Sequence, residues 1–121
     1  MAKRKTPDPN CRISDVLDIF RGRWKGEIVA LLRDETLRFT ELRRRIPGAS
    51  ARTLTENLRG LERDGVLIRE QFAEVPPHVE YSLSGYGDEL LPLLDRIREW
   101  GEQHLGCVEA CRAAYDAKHA G

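Results

Sequence analysis

Long apolar segments are missing from this 121-residue sequence, which excludes a membrane-spanning helix. Its longest uninterrupted apolar run covers residues 28–32, far short of the roughly 20 residues that cross a bilayer. No apolar segment follows the basic start Lys3-Arg4-Lys5, so we expect no signal peptide and predict a cytoplasmic protein.

Cysteine is scarce, with Cys11, Cys107 and Cys111 as the complete set. An odd number of cysteines without an export signal argues against a disulfide scaffold, and we expect reduced thiols. A chain of this length buries about two-thirds of its unfolded surface, so a hydrophobic core needs neither disulfides nor metal.

Net charge is also absent, but the two halves of the chain differ. Residues 1–69 carry 16 Lys and Arg against 10 Asp and Glu, whereas residues 70–121 carry 4 against 10. A polyanionic partner is therefore expected on the first half. Of the 20 cations 16 are arginine, which suits phosphate and guanine contacts but is also typical of a GC-rich genome.

Enzyme motifs are missing as well. The sequence has no glycine-rich phosphate loop, no Ser/His/Asp or Cys/His set in a supporting context, and no acidic metal cluster. The segment Gly85-Tyr86-Gly87-Asp88 follows a predicted hairpin and is interpreted as a helix start. We predict a protein that is not an enzyme and has no cofactor.

Apolar periodicity predicts two helices near the start. Residues 1–10 have no apolar anchor and two prolines, and are predicted to be a flexible basic arm. A helical stripe follows at Ile13, Val16, Leu17 and Phe20, and a second helix is predicted over residues 24–33.

Two further helices are predicted on either side of Pro47-Gly48. Leu37-Arg38 is a candidate short strand, and Phe39, Leu42 and Ile46 indicate a third helix. Ser50 is a suitable N-cap for a fourth helix that ends near Asp64, with Gly65 in the left-handed position. The core stripe of this fourth helix is Leu54, Leu58 and Leu61.

The apolar period then changes from helical to alternating. Residues 66–72 and 79–83 are predicted strands, joined by a stiff loop at Pro76-Pro77. Ser84-Gly85 begins a long helix to about Leu105, in which Pro92 is expected to cause a bend. Residues 106–121 are predicted to be a separate C-terminal tail with a short helix over 107–119.

This element order predicts an α+β, mostly helical fold, a winged helix-turn-helix. Opposite the leucine stripe, the fourth helix carries Arg52, Glu56, Arg59 and Arg63, with Thr53 and Thr55 at the sides. Arginine can bind guanine, glutamate can accept from cytosine, and threonine can contact the thymine methyl group. Such a face could instead be simply solvated.

The sequence resembles the HxlR-type transcriptional regulators, small bacterial winged-helix proteins allied to the MarR group. The resemblance covers roughly residues 11–105, as one winged helix-turn-helix domain. It depends on residues 24–32, Arg-Phe-Thr-Glu-Leu-Arg-Arg at 38–44, Ile-Pro-Gly at 46–48, Leu-Thr-Glu-Asn-Leu-Arg at 54–59, Leu-Glu-Arg-Asp-Gly at 61–65, Val-Pro-Pro-His-Val-Glu-Tyr-Ser-Leu at 75–83, and Glu-Trp-Gly at 99–101.

The resemblance implies a cytoplasmic homodimer that is formed by the N- and C-terminal dimerisation helices. It also implies that this dimer binds double-stranded DNA at an imperfect palindrome and represses transcription. The DNA contacts it implies, together with those inferred from the residues, are Arg38, Ser50, Arg52, Thr53, Thr55, Glu56, Arg59, Pro77 and His78. The dimer contacts are Ile13, Leu17, Leu90, Leu94, Ile97 and Trp100. Departures from the family pattern are Glu56 in place of Gln, His78 in place of Arg or Lys, and Gly26-Glu27 in place of bulkier apolar residues.

Several alternatives remain open at this stage. Cys11 is a candidate sensor of oxidants or electrophiles, or a small residue at the dimer seam. His104, Cys107 and Cys111 share a helical face, but no fourth ligand is evident, so no metal site is predicted. Trp24 and Trp100 belong either to a core or to a small-molecule effector pocket. The alternative function is a winged-helix interaction or ligand-sensing module that does not bind DNA.

Overall fold

The computed structural model describes Asn10 and residues 12–120. The predicted arm over residues 1–10 therefore lies outside the described residues, apart from Asn10. The elements are α1 (Ile13–Asp18), α2 (Lys25–Leu31), β1 (Leu37–Arg38), α3 (Phe39–Arg45), α4 (Ala51–Arg63), β2 (Leu67–Phe72), β3 (His78–Leu83) and α5 (Gly85–His119). Across the described part of the chain, every helix is too short or too polar to span a bilayer.

The three strands form one antiparallel sheet in the order β1-β3-β2. Strands β2 and β3 pair from Leu67 opposite Leu83 to Phe72 opposite His78, and Leu37 of β1 lies opposite Tyr81. The hairpin and the short strand predicted from the sequence are confirmed, each strand boundary within a residue. The loop between β2 and β3 contains a cis peptide bond between Val75 and Pro76.

The core forms where the apolar sides of the helices meet the sheet. Leu54, Leu58 and Leu61 of α4 are at most 1% exposed, as their spacing of three or four residues predicts. They pack in one cluster with residues from α2 and α3, among them Ile28 and Leu42. Full burial of each such side chain stabilises the fold by about 1.5–3 kcal/mol, so this stripe determines which side of α4 faces out.

The corner between α3 and α4 is held by Trp24. A Cβ atom added at Gly48 would lie 2.8 Å from Cη2 of the Trp24 ring, so the indole packs directly on the glycine backbone. Helix α4 then begins at Ser50, whose Oγ accepts a hydrogen bond from the Thr53 N–H at 3.1 Å. The predicted N-cap is thus confirmed.

The predicted end of the last helix near Leu105 is wrong. Helix α5 is continuous from Gly85 to His119, passes through Pro92, and includes the segment that was predicted to be a separate short helix. A glycine costs only about 1 kcal/mol in a helix interior, so Gly101 and Gly106 do not end it. Two stacked aromatic–imidazole pairs four residues apart, Trp100–His104 and Tyr115–His119, lie along the same stretch. With 35 residues, α5 is about 50 Å long.

Candidate nucleic-acid interface

The outward side of α4 carries the charged residues predicted for DNA contact. Arg52, Glu56, Arg59 and Arg63 are exposed on the side away from the buried leucines. Because Leu54, Leu58 and Leu61 are buried, this charged side cannot rotate inward. It has the polar character that a helix needs in order to lie in a DNA major groove.

Other polar side chains of α4 are bonded within the helix itself. The Ser50 and Thr53 hydroxyls are 3.0 Å apart, and the Thr55 hydroxyl donates to the Ala51 carbonyl at 2.8 Å. The Asn57 amide nitrogen donates to the Thr53 carbonyl at 2.7 Å. These groups therefore have hydrogen-bond partners at the start of α4 or within it.

The charged residues of this face are not equivalent. Arg52 Nε lies 3.1 Å from Glu56 Oε1, and the two side chains are 89% and 62% exposed. No ion pair involving Arg59 is found in the part of the chain that the structure describes. Arg59 therefore offers a whole guanidinium group, whereas Arg52 and Glu56 form a unit.

A polar cleft lies on the surface where α4 meets the sheet. It has a volume of about 270 Å³ and is lined by Thr55, Leu58, Arg59, Glu62, Arg69 and Tyr81. Arg59 from α4 and Arg69 from β2 therefore border the same depression. Arg69 was missed in the sequence analysis because alternation along β2 does not reveal which helix lies beside it.

Helix α3 ends in three consecutive arginines. Arg43 and Arg44 are exposed, while Arg45 Nη1 contacts Glu35 Oε2 at 2.8 Å. This hydrogen bond and the charge of Glu35 raise the pKa of the Arg45 guanidinium above its ordinary value. The predicted DNA contacts did not include Arg43, Arg44 or Arg45. The run of three arginines before Pro47-Gly48 is the sequence signal that could have identified them.

At the start of α3, Arg38 is exposed, and its backbone N–H donates to Glu41 Oε1 at 2.9 Å. Arg38 is the last residue of the edge strand β1 and directly precedes α3. This predicted contact residue is thus exposed, at the start of the helix-turn-helix.

In the hairpin, Pro77 is exposed to solvent, whereas the His78 ring is largely covered by its neighbours. Pro77 is exposed, but the His78 side chain is 13% exposed, with Nε2 2.8 Å from Glu80 Oε2. Its ring stacks on Phe72 at a centroid distance of 4.8 Å. The projecting residue at the tip is Val75, 98% exposed, which the sequence analysis did not single out.

A second surface consists of exposed apolar side chains on α1 and α5. Ile13 and Leu17 are 64% and 56% exposed, and Ile97 and Trp100 are 50% and 55% exposed. Leu90 and Leu94, also predicted as dimer contacts, are partly buried against the core of their own chain.

The remaining predicted sites are scattered. Cys11 lies outside the described residues. Cys107 and Cys111 are exposed free thiols on α5. Trp24 packs on Gly48, whereas Trp100 and His104 border an open depression along α5, so the two tryptophans do not meet within this chain.

Known proteins match this chain over most of its length. The family model for the HxlR-like helix-turn-helix matches residues 19–109. The uncharacterized HTH-type transcriptional regulator YdeP of Bacillus subtilis is 42% identical over 108 residues, which are 89% of this chain and 84% of that protein. The uncharacterized HTH-type transcriptional regulator YtfH of Escherichia coli is 40% identical over 102 residues, which are 84% of this chain and 81% of that protein.

Solved structures agree with this match. The redox regulator HypR in its reduced form has a TM-score of 0.77 at 40% identity, covering 83% of this chain and 99% of that chain. The reduced transcriptional regulator YodB of B. subtilis has a TM-score of 0.71 at 28% identity, covering 82% and 95%.

Proposed function

The chain belongs to the family of HxlR-like helix-turn-helix transcriptional regulators, and from this premise we propose that it is a homodimeric repressor of an imperfect palindromic promoter site. The observation that carries the proposal is the exposed charged side of α4, whose orientation is determined by three buried leucines. The bases of the major groove are contacted from this side, and the hairpin loop that contains Val75 and Pro77 lies towards the adjacent minor groove.

Phosphate contacts supply much of the affinity in this proposal. The arginines at positions 43, 44, 59 and 69 are the candidates, since Arg43 and Arg44 are exposed and Arg59 and Arg69 border one cleft. Each phosphate contact changes the slope of log affinity against log salt by about −0.9. Binding is therefore expected to fall steeply as salt rises.

The homodimer is supported by the apolar surface of α1 and α5. Single exposed apolar residues are common, but four large ones at Ile13, Leu17, Ile97 and Trp100 are half exposed or more. A two-fold axis through this surface gives two copies of α4, as a palindromic site requires. Half-sites bound by such dimers are about 34–36 Å apart.

Binding to promoter fragments from the source genome tests the assignment of α4. We expect Arg59→Ala to weaken binding to the selected fragment while the oligomeric state is unchanged. The double variant Arg52→Glu, Arg59→Glu is expected to abolish specific binding. Arg21→Glu, Lys118→Glu has the same change in net charge outside α4 and the hairpin, and serves as the matched control. Tight binding by the α4 variant would refute the assignment.

A redox response of the DNA binding is part of this proposal. HypR, which is similar to this chain, is a redox regulator with oxidized and reduced structures, and this chain carries Cys11 before α1. Oxidation joins the Cys11 sulfur to a second thiol, and the oxidant diamide takes up the two hydrogens.

Promoter binding before and after diamide treatment tests the redox response. We expect a change in the wild-type protein that a dithiol reductant reverses, and no change in Cys11→Ser. The matched control is Glu109→Gln, which leaves all three thiols in place. An equal response in Cys11→Ser would assign it to other residues.

A further inference from the structure

Glu56 is in an unusual position for a protein that binds a polyanion. It lies on the exposed side of α4, one turn after Arg52 and one turn before Arg59, and is 62% exposed. A carboxylate that approaches a phosphate backbone is repelled, so its presence is unfavourable unless DNA offers it a hydrogen-bond donor. In the major groove, such donors belong to two bases, cytosine and adenine.

The chemistry of the base edges favours cytosine. Cytosine presents its N4 amino group as a donor, whereas adenine places the acceptor N7 beside its N6 amino group. An ionised carboxylate has acceptors alone, so N7 of adenine opposes it. The guanine paired with that cytosine presents O6 and N7, both acceptors, which an arginine fork binds together.

The geometry of the Arg52–Glu56 pair matches this pattern. Glu56 Oε1 lies 3.1 Å from Nε of Arg52, which leaves the two terminal nitrogens of the guanidinium and Glu56 Oε2 for other partners. We propose that Glu56 and Arg52 form one specificity unit, in which Glu56 accepts from cytosine N4 while Arg52 donates to guanine O6 and N7 in the same or the neighbouring base pair.

The neighbouring polar side chains Thr55 and Asn57 are less available for base contacts than the Arg52–Glu56 pair. Thr55 and Asn57 donate to backbone carbonyls of α4 at 2.8 and 2.7 Å. Thr55 and Asn57 therefore compete less than the Arg52–Glu56 unit for base contacts in each half-site. The inference depends on the proposed DNA-binding function and assigns the base pair that the unit selects.

Selection from a random DNA library with the full-length protein tests the specificity unit. We expect wild-type sites to contain cytosine at one position of each half-site, and its replacement to reduce affinity by about 5- to 150-fold. Glu56→Gln should select adenine there, because an amide both donates and accepts. Arg52→Ala should weaken the selection of this C·G pair if both contacts are made to it, and should lose the guanine while retaining the cytosine if the guanine lies in the neighbouring pair.

The matched control is Glu102→Gln, which removes a carboxylate from an exposed Arg–Glu pair of the same spacing, Arg98–Glu102 of α5. Its selected sites should be those of the wild type. If Glu56→Gln selects the wild-type sequence, the unit is refuted and the DNA-binding function stands. If the wild-type protein binds DNA at low salt but enriches no sequence at any salt concentration, the inference and sequence-specific regulation fail together; if it binds no DNA even at low salt, the whole proposed function fails.

Discussion

Replacing Gly87 by alanine should destabilise the protein strongly, although alanine normally stabilises helices. Gly87 is buried in the first turn of α5. A Cβ atom at this position would lie 2.5 Å from the Val66 carbonyl oxygen and 3.1 Å from Leu83 Cβ. The nearest atom is backbone, so no side-chain rotation relieves the contact. Helix α5 must move away from the sheet.

The size of the effect follows from the bonds at this junction. The Val66 carbonyl also accepts from the Ser84 N–H at 2.9 Å. The single hydrogen of the Ser84 hydroxyl is shared between the Gly65 carbonyl at 2.5 Å and the Val66 carbonyl at 3.0 Å. Overpacking costs about 1–3 kcal/mol, and each weakened hydrogen bond adds about 1 kcal/mol. After the helix-propensity gain of about 1 kcal/mol, a net loss of about 2–4 kcal/mol remains. The midpoint of thermal unfolding should fall by about 10 °C.

Gly106 in the same helix is the matched control, because nothing lies within 4 Å of a Cβ added there. Gly106→Ala should stabilise the protein by about 0.5–1 kcal/mol. Urea unfolding followed by circular dichroism at 222 nm, at one protein concentration, gives both values. If Gly87→Ala were as stable as the wild type or more stable, the close approach of α5 to Val66 would be refuted.

Three further variants address the corner, the cap and the apolar surface. Gly48→Ala should lower the free energy of unfolding in urea by about 1–2 kcal/mol, and by less when Trp24 is replaced by phenylalanine. An equal loss in the two backgrounds would contradict the packing of the Trp24 indole on Gly48. Ser50→Ala should cost about 1 kcal/mol, and an unchanged unfolding midpoint would mean that this N-cap contributes nothing. Ile97→Glu should convert a dimer into a monomer in sedimentation velocity at micromolar concentration, with an unchanged mass as the contrary result.

Much of the fold was predictable because its signals are local. The spacing of Leu54, Leu58 and Leu61 predicts the buried side of α4, and Ser50 predicts its first residue. The alternation at Val79, Tyr81 and Leu83 predicts a strand. Each signal depends on backbone geometry over a few residues, so it can be recognised without knowing how the rest of the chain folds.

The site was predictable to the level of α4 but not of its surroundings. The charged side of α4 follows from periodicity, whereas the neighbourhood of Arg69 and Arg59 depends on how β2 packs beside the helix. Likewise, the alternating pattern of β3 does not reveal that the His78 ring stacks on Phe72. These partners are brought together by pairing of the two strands.

The amino-acid sequence was therefore sufficient to predict the strands, most of the helices, the buried stripe of α4 and the family to which the chain belongs. Tertiary structure alone decided the partner of each exposed charge, the packing of Trp24 on Gly48 and the absence of a break in α5 after Leu105. An apolar stripe can be predicted from the sequence because its period is a property of one segment. The partner of a side chain depends on segments far away in sequence, which meet after the core has formed.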